Sequence, residues 1–156
     1  MNKKAIIIPF LFFLLPSLAS AQKELLGPLT SEEILKSFPD WRDEAASYWP
    51  SQDIIDKLKS ISHQVKIEVF LGTWCSDSKT NVSAYFKIME MGDNPLIQTI
   101  YTGLPREKES RQKYIKGKNI EKIPTFIIFV DGKEKGRIVE NPIKSIEEDL
   151  LEIVNR

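Results

Sequence analysis

The chain holds one cysteine and one histidine in 156 residues, so the places where it could do chemistry are few. The cysteine lies in Phe70-Leu71-Gly72-Thr73-Trp74-Cys75-Ser76-Asp77-Ser78-Lys79. A cysteine acts as a nucleophile through its thiolate, and that anion is favoured where unpaired backbone N–H groups and the positive end of a helix dipole converge. Residues 65–70 alternate apolar and polar types with the period of a half-buried strand. Asp77 and Ser78 then lead into Val82, Ala84, Tyr85, Phe86, Ile88, Met89 and Met91, an apolar series compatible with one helical face. Cys75 is therefore expected where a strand ends and a helix begins. The histidine, His63, falls in a helix-to-strand turn and reads as a surface or capping residue rather than a general base. No cluster of ligand side chains accompanies it at metal-binding spacing, so neither a metal nor another cofactor is expected.

A second stretch shares the burden. Ile123-Pro124 opens the apolar run Thr125-Phe126-Ile127-Ile128-Phe129, and Asp131-Gly132-Lys133 follows as a hairpin turn. A strand leading into Trp74-Cys75-Ser76-Asp77-Ser78, then Ile-Pro-Thr with an Asp-Gly turn behind it, resembles the thioredoxin superfamily over about residues 51–156. The resemblance implies a thioredoxin-like three-layer α/β/α sandwich with a central mixed sheet of about four strands. It also implies that Cys75 is the nucleophile and that Pro124 is a cis-proline facing it. The backbone of Ile123 would then be free to pair with an extended peptide. Trp74 would shield the sulfur and shape a groove with Ser76 and Asp77, and Ser78 would hydrogen-bond the thiolate.

The chain departs from that pattern in ways that bear on chemistry. Ser78 takes the place of the resolving cysteine, and no other thiol exists to form an intramolecular disulfide. The family's buried acid falls on Val69, its helix-kinking proline on Ser83, and its groove-lining glycine on Glu140. Glu140 and Arg137 are expected at a polar edge of the groove, or simply as charges on an edge strand.

Two functions fit these residues. One is monothiol thiol–disulfide exchange, an oxidoreductase or isomerase activity in redox homeostasis, with protein or low-molecular-weight thiols and disulfides as partners and a partner thiol as resolver. The alternative is a redox-silent binding module or chaperone that holds extended peptides beside Pro124. A one-cysteine peroxidase ranks behind both, because the threonine expected three residues before its cysteine is here Gly72.

The remaining sequence places these elements in a larger chain. Residues 1–21 read as a secretory signal peptide: Lys3 and Lys4, an apolar core from Ala5 to Leu15, then Ala19-Ser20-Ala21. The core is shorter than the roughly 20 residues of a membrane span. Export to a bacterial periplasm, or secretion, is the expectation, with no membrane insertion after cleavage. Loss of Lys3 and Lys4 leaves 20 basic residues against 22 acidic, a balance that gives no support to nucleic-acid binding. A monomer is expected.

Residues 22–50 read as a helical extension, with a capping signal at Thr30 or Ser31 and Trp41, Ala45, Tyr48 and Trp49 on a second short helix. Nothing in it reads as a strand. Ser51 caps a helix to Ser60, a strand spans Pro95 to Leu104, and a charged helix with a solvated face runs from Pro105 to about Gly117. Ser145 caps a terminal helix.

Overall fold

The computed structural model describes residues 24–156; the signal-peptide expectation falls outside them. Strand β2 (Val65–Leu71) leads through the Cys75 loop into helix α4 (Ser76–Gly92), which crosses back to the parallel strand β3 (Ile97–Gly103). Strands β4 (Thr125–Val130) and β5 (Lys133–Val139) form an antiparallel hairpin beside β2. Asp131 and Gly132 between them both take positive φ, 48° and 79°. That is the backbone a tight two-residue hairpin demands, and Asp-Gly tolerates it.

A fifth strand, β1 (Gly27–Leu29), pairs antiparallel with β3 and completes the order β1-β3-β2-β4-β5. The expectation of a strandless extension is therefore corrected: the extension supplies an edge strand. Close approach explains how it docks. A Cβ on Gly103 would lie 2.2 Å from the Leu25 carbonyl oxygen, so only glycine lets this backbone lie against β3.

The extension then forms helices α1 (Ser31–Ser37) and α2 (Pro39–Ser47). Thr30 caps α1 in a capping box, its hydroxyl accepting from the Glu33 N–H while the Glu33 carboxylate accepts from the Thr30 N–H. Pro39, which has no N–H to lose, starts α2. Helix α2 packs along α4 through Trp41, which is 1% exposed. Helix α3 (Gln52–Lys59) and the terminal α6 (Ile146–Val154) cover the same face. Ser145 caps α6 by accepting from the Glu148 N–H, as expected. Ser51 begins α3 without a side-chain cap bond; its own N–H donates to Glu147 instead.

Side chains alternate along the strands, so the sheet has two unequal faces. Val65, Ile67, Val69 and Leu71 of β2 enter the large core under the helices, with Phe126, Ile128 and Val130 of β4. Phe70 and Ile127 enter a smaller cluster with Leu104, Ile115 and Ile123, against which Trp74 and Cys75 pack. That second layer is thin. The charged helix expected from Pro105 to Gly117 is instead a 3-10 turn at Glu109–Arg111 followed by α5 (Gln112–Ile115), a single turn. Arg111 accounts for the irregularity: it is buried, and its guanidinium donates to the carbonyls of Pro105 and Arg106. These carbonyls are thereby satisfied without a helix.

Glu68, on the thin side, lies between Lys66 and Lys118, 2.9 and 2.6 Å from their ammonium nitrogens. Burial pushes its carboxyl up, but the hydrogen bonds and charges of the two lysines outweigh burial and hold it below its ordinary 4.5.

Candidate active site

Cys75 is the N-cap residue of α4, with extended backbone angles. The two elements that fix it are the buried strand β2 behind and a seventeen-residue helix ahead. Its N–H donates to the Gly72 carbonyl at 2.9 Å and its carbonyl accepts from Lys79 N–H at 3.0 Å, so the main chain around the sulfur is held on both sides. Such a position faces the open N–H groups of the first helical turn.

Across from it, the Ile123-Pro124 peptide is cis. The Cys75 thiol donates a long contact, 3.9 Å, to the Ile123 carbonyl oxygen. The Pro124 carbonyl accepts from the Glu140 N–H at 2.7 Å. Among the described residues the Ile123 N–H and C=O have no backbone partner, which leaves that edge able to receive an extended chain.

Trp74 flanks the sulfur. Its indole N–H donates to the Leu104 carbonyl at 2.9 Å, and the guanidinium carbons of Arg106 and Arg111 lie 4.9 and 5.2 Å from its ring centroid. Cation–π contacts of this kind contribute on the order of 0.5–2 kcal/mol each, so the indole is held by both ends. Gly72 keeps the turn tight: a Cβ there would lie 2.8 Å from both Ile123 Cδ1 and Trp74 Cε2.

Ser78 behaves differently from expectation. It is fully buried, and its hydroxyl accepts from the Gly72 N–H at 3.1 Å; no hydrogen bond joins it to Cys75 among the described residues. The hydroxyl at the resolving position thus ties the Cys75 loop to the first turn of α4. Ser76 is exposed and Asp77 half-buried in that same turn, where a carboxylate complements the helix N-terminus.

Glu140 has φ 64°, the left-handed region that glycine enters most easily, and it stands where the resemblance places a glycine. Its carboxylate pairs with Lys122 at 2.5 Å. The conformation is held from α4: Asn81, buried, donates to the Glu140 carbonyl at 2.8 Å and to Asn141 Oδ1 at 3.1 Å. Arg137 pairs with Glu134 and donates to the Lys118 carbonyl, so it braces the thin face rather than the groove.

Several residues that shape the site carry no motif. Thr73 Oγ1 accepts from the Leu25 N–H at 3.2 Å, tying the extension to the Cys75 loop. Lys79 forms an ion pair with Asp40 of α2 at 2.9 Å, and hydrogen bonding to that carboxylate raises the lysine pKa. Between them lies a cleft of 310 Å³ walled by Phe38, Asp40 and Trp41 on the extension side and by Trp74, Cys75 and Lys79 on the other. Ser76 lines it too. No three ligand-type side chains are grouped to hold a metal ion among the described residues.

Comparison with known proteins agrees with this fold. A protein of unknown function from Pseudomonas aeruginosa, solved as a crystal structure, superposes with TM-score 0.58 at 17% identity, covering 79% of this chain and 84% of its own. An HIV epitope-scaffold matches with TM-score 0.57 at 17% identity over 79% and 85%. A mutant thioredoxin from Halobacterium salinarum covers 69% and 86% at 16% identity, with TM-score 0.42. No curated protein gives a significant match. The family model described as thioredoxin matches residues 39–151. Since that span runs from the first turn of α2 into α6 and takes in Cys75, Pro124 and Glu140, the chain belongs to the thioredoxin family.

Proposed function

We propose that this is an exported monothiol thiol–disulfide exchange protein. The observation that carries the reading is Cys75 at the head of α4, its sulfur facing the Ile123 carbonyl across a cis-proline, with no second thiol in the chain. The Cys75 thiolate attacks one sulfur of a partner disulfide. A new bond forms to Sγ, the partner's S–S bond breaks, and the released thiolate takes a proton from water. The partner's backbone lies along Ile123 and Pro124, and Trp74, pinned by Arg106 and Arg111, forms the adjacent wall. A thiol from outside the chain then resolves the mixed disulfide. Residues 1–21 support delivery to the periplasm or beyond the cell.

A second reading, a redox-silent module that holds extended peptides in the same groove, draws on Ser78, whose hydroxyl is committed to Gly72 rather than to the sulfur. One assay separates the two: exchange between glutathione and a peptide carrying a mixed disulfide. Acceleration by the mature protein, lost in Cys75→Ser, supports exchange. A rate equal to that of the uncatalysed mixture, with the peptide bound, leaves the binding module.

A further inference from the structure

A monothiol exchanger needs somewhere for its second thiol to approach. We infer that the cleft between the extension and the Cys75 loop is the site of the resolving thiol, and that it takes a low-molecular-weight thiol carrying both an ammonium and a carboxylate group. The inference rests on the exchange reading given above.

Geometry comes first. Attack on a disulfide is in line, with the incoming sulfur opposite the leaving one, so the two partners of Cys75 must lie on different sides of Sγ. The protein partner belongs to the Ile123–Pro124 edge. Neither of those residues lines the cleft beside α2, whereas Cys75 does; the cysteine stands between that cleft and the Ile123–Pro124 edge. The cleft measures 310 Å³, near the lower end of the ~300–1,000 Å³ of small-molecule sites. A thiol of amino-acid to small-peptide size fits, and a folded partner does not.

Its polar chemistry is equally narrow. Phe38, Trp41 and Trp74 supply apolar walls, and Asp40 and Lys79 supply one charge of each sign, 2.9 Å apart. That pair is partly exposed, 59% for the Asp40 side chain and 33% for Lys79. Exposed pairs of this kind are weak and screened by salt, so opening this one costs little. A ligand with neighbouring ammonium and carboxylate groups can enter it with every charge matched, its carboxylate on Lys79 and its ammonium on Asp40. A neutral thiol gains no charge contact there.

In the step itself the incoming thiolate bonds to Cys75 Sγ, the bond between Sγ and the protein partner's sulfur breaks, and that sulfur leaves as a thiolate that is protonated by solvent. Cys75 is left in a mixed disulfide with the small thiol. A second molecule of it attacks that disulfide and frees the Cys75 thiolate, the small thiol departing as its own disulfide. The two electrons that reduce the protein partner thus come from two small thiols.

The test loads Cys75 of the mature protein with 2-nitro-5-thiobenzoate and follows release of that chromophore by four thiols: cysteine, cysteamine, 3-mercaptopropionate and 2-mercaptoethanol. Each rate is divided by the rate with the mixed disulfide of N-acetylcysteine amide and the same chromophore, which removes intrinsic reactivity. Cysteine should exceed 2-mercaptoethanol by about fivefold, the effect of two partly exposed charge contacts, with the singly charged thiols between. The preference should disappear in Asp40→Asn and Lys79→Gln, both surface changes. Equal normalised rates, or a preference that survives both substitutions, would overturn the subsite while leaving exchange standing. If folded protein takes up no chromophore at all, the exchange reading fails and the subsite falls with it.

Discussion

The Cys75 sulfur lies 3.9 Å from the carbonyl oxygen of Ile123, a residue 48 positions further along the chain. Two separate pieces of sequence meet there: the end of β2 with the head of α4, and the entry to β4. Neither makes a site alone. The meeting is enforced by the antiparallel register of β2 and β4, in which Phe70 pairs with Thr125, so the residues just beyond each strand end face one another.

Ser78 links that loop to the core, and its loss should be felt as stability. In Ser78→Ala the buried Gly72 N–H loses its acceptor, which costs about 1–3 kcal/mol. Urea denaturation followed by circular dichroism measures it. A midpoint unchanged from the parent protein would show that the bond contributes nothing.

The two extension tryptophans make a sharper contrast. Trp41 is 1% exposed against α4 and Trp49 is 85% exposed. Trp41→Ala should cost about 3–5 kcal/mol, as for other buried large-to-small changes. Trp49→Ala should stay within about 0.5 kcal/mol. Comparable losses in the two variants would contradict the packing of α2 described above.

Gly103→Ala tests the docking of the edge strand. The new methyl would meet the Leu25 carbonyl at 2.2 Å, so β1 must move or lift off, at a cost of about 1–3 kcal/mol. Hydrogen exchange should quicken at the amides of Leu25, Leu26, Gly27 and Leu29 first. Unchanged protection there would mean that the extension sits elsewhere in solution.

Glu68 sets a pH dependence. Its carboxyl titrates below 4.5 in the folded protein because Lys118 and Lys66 outweigh the effect of burial. The unfolded chain then binds the proton more readily, so this contribution is present above pH 4.5 and is lost as pH falls through the lower, folded value. Stability measured across that acid window should decline less steeply in Glu68→Gln than in the parent. Parallel curves would remove Glu68 from the account.

Much of this was legible from local patterns. The alternation of residues 65–70, the capping signals at Thr30 and Ser145, and the Asp-Gly hairpin each depend on neighbours in sequence, and each appears where those neighbours put it. What escaped depends on distant partners. Gly27-Pro28-Leu29 is too short to display a period of two, and it is a strand only because β3 has an open edge and a glycine at 103. The charges of residues 106–116 suggested a solvated helix, but Arg111 turns inward to serve two carbonyls and the Trp74 ring. Trp49 fits the apolar spacing of α2, yet the helix ends at Ser47, and Tyr48 reaches Glu147 through its hydroxyl. The Asp40–Lys79 pair joins side chains 39 positions apart, beyond the reach of any motif.

Adduct formation on Cys75 reports whether the folded chain presents a reactive sulfur. The protein is mixed with oxidised glutathione, folded in buffer or unfolded in urea, and intact mass is followed over time. A single glutathione adduct on Cys75 is expected, formed faster by the folded protein because α4 and the Ile123–Pro124 edge present the sulfur for attack. An adduct that appears only after unfolding would contradict that expectation.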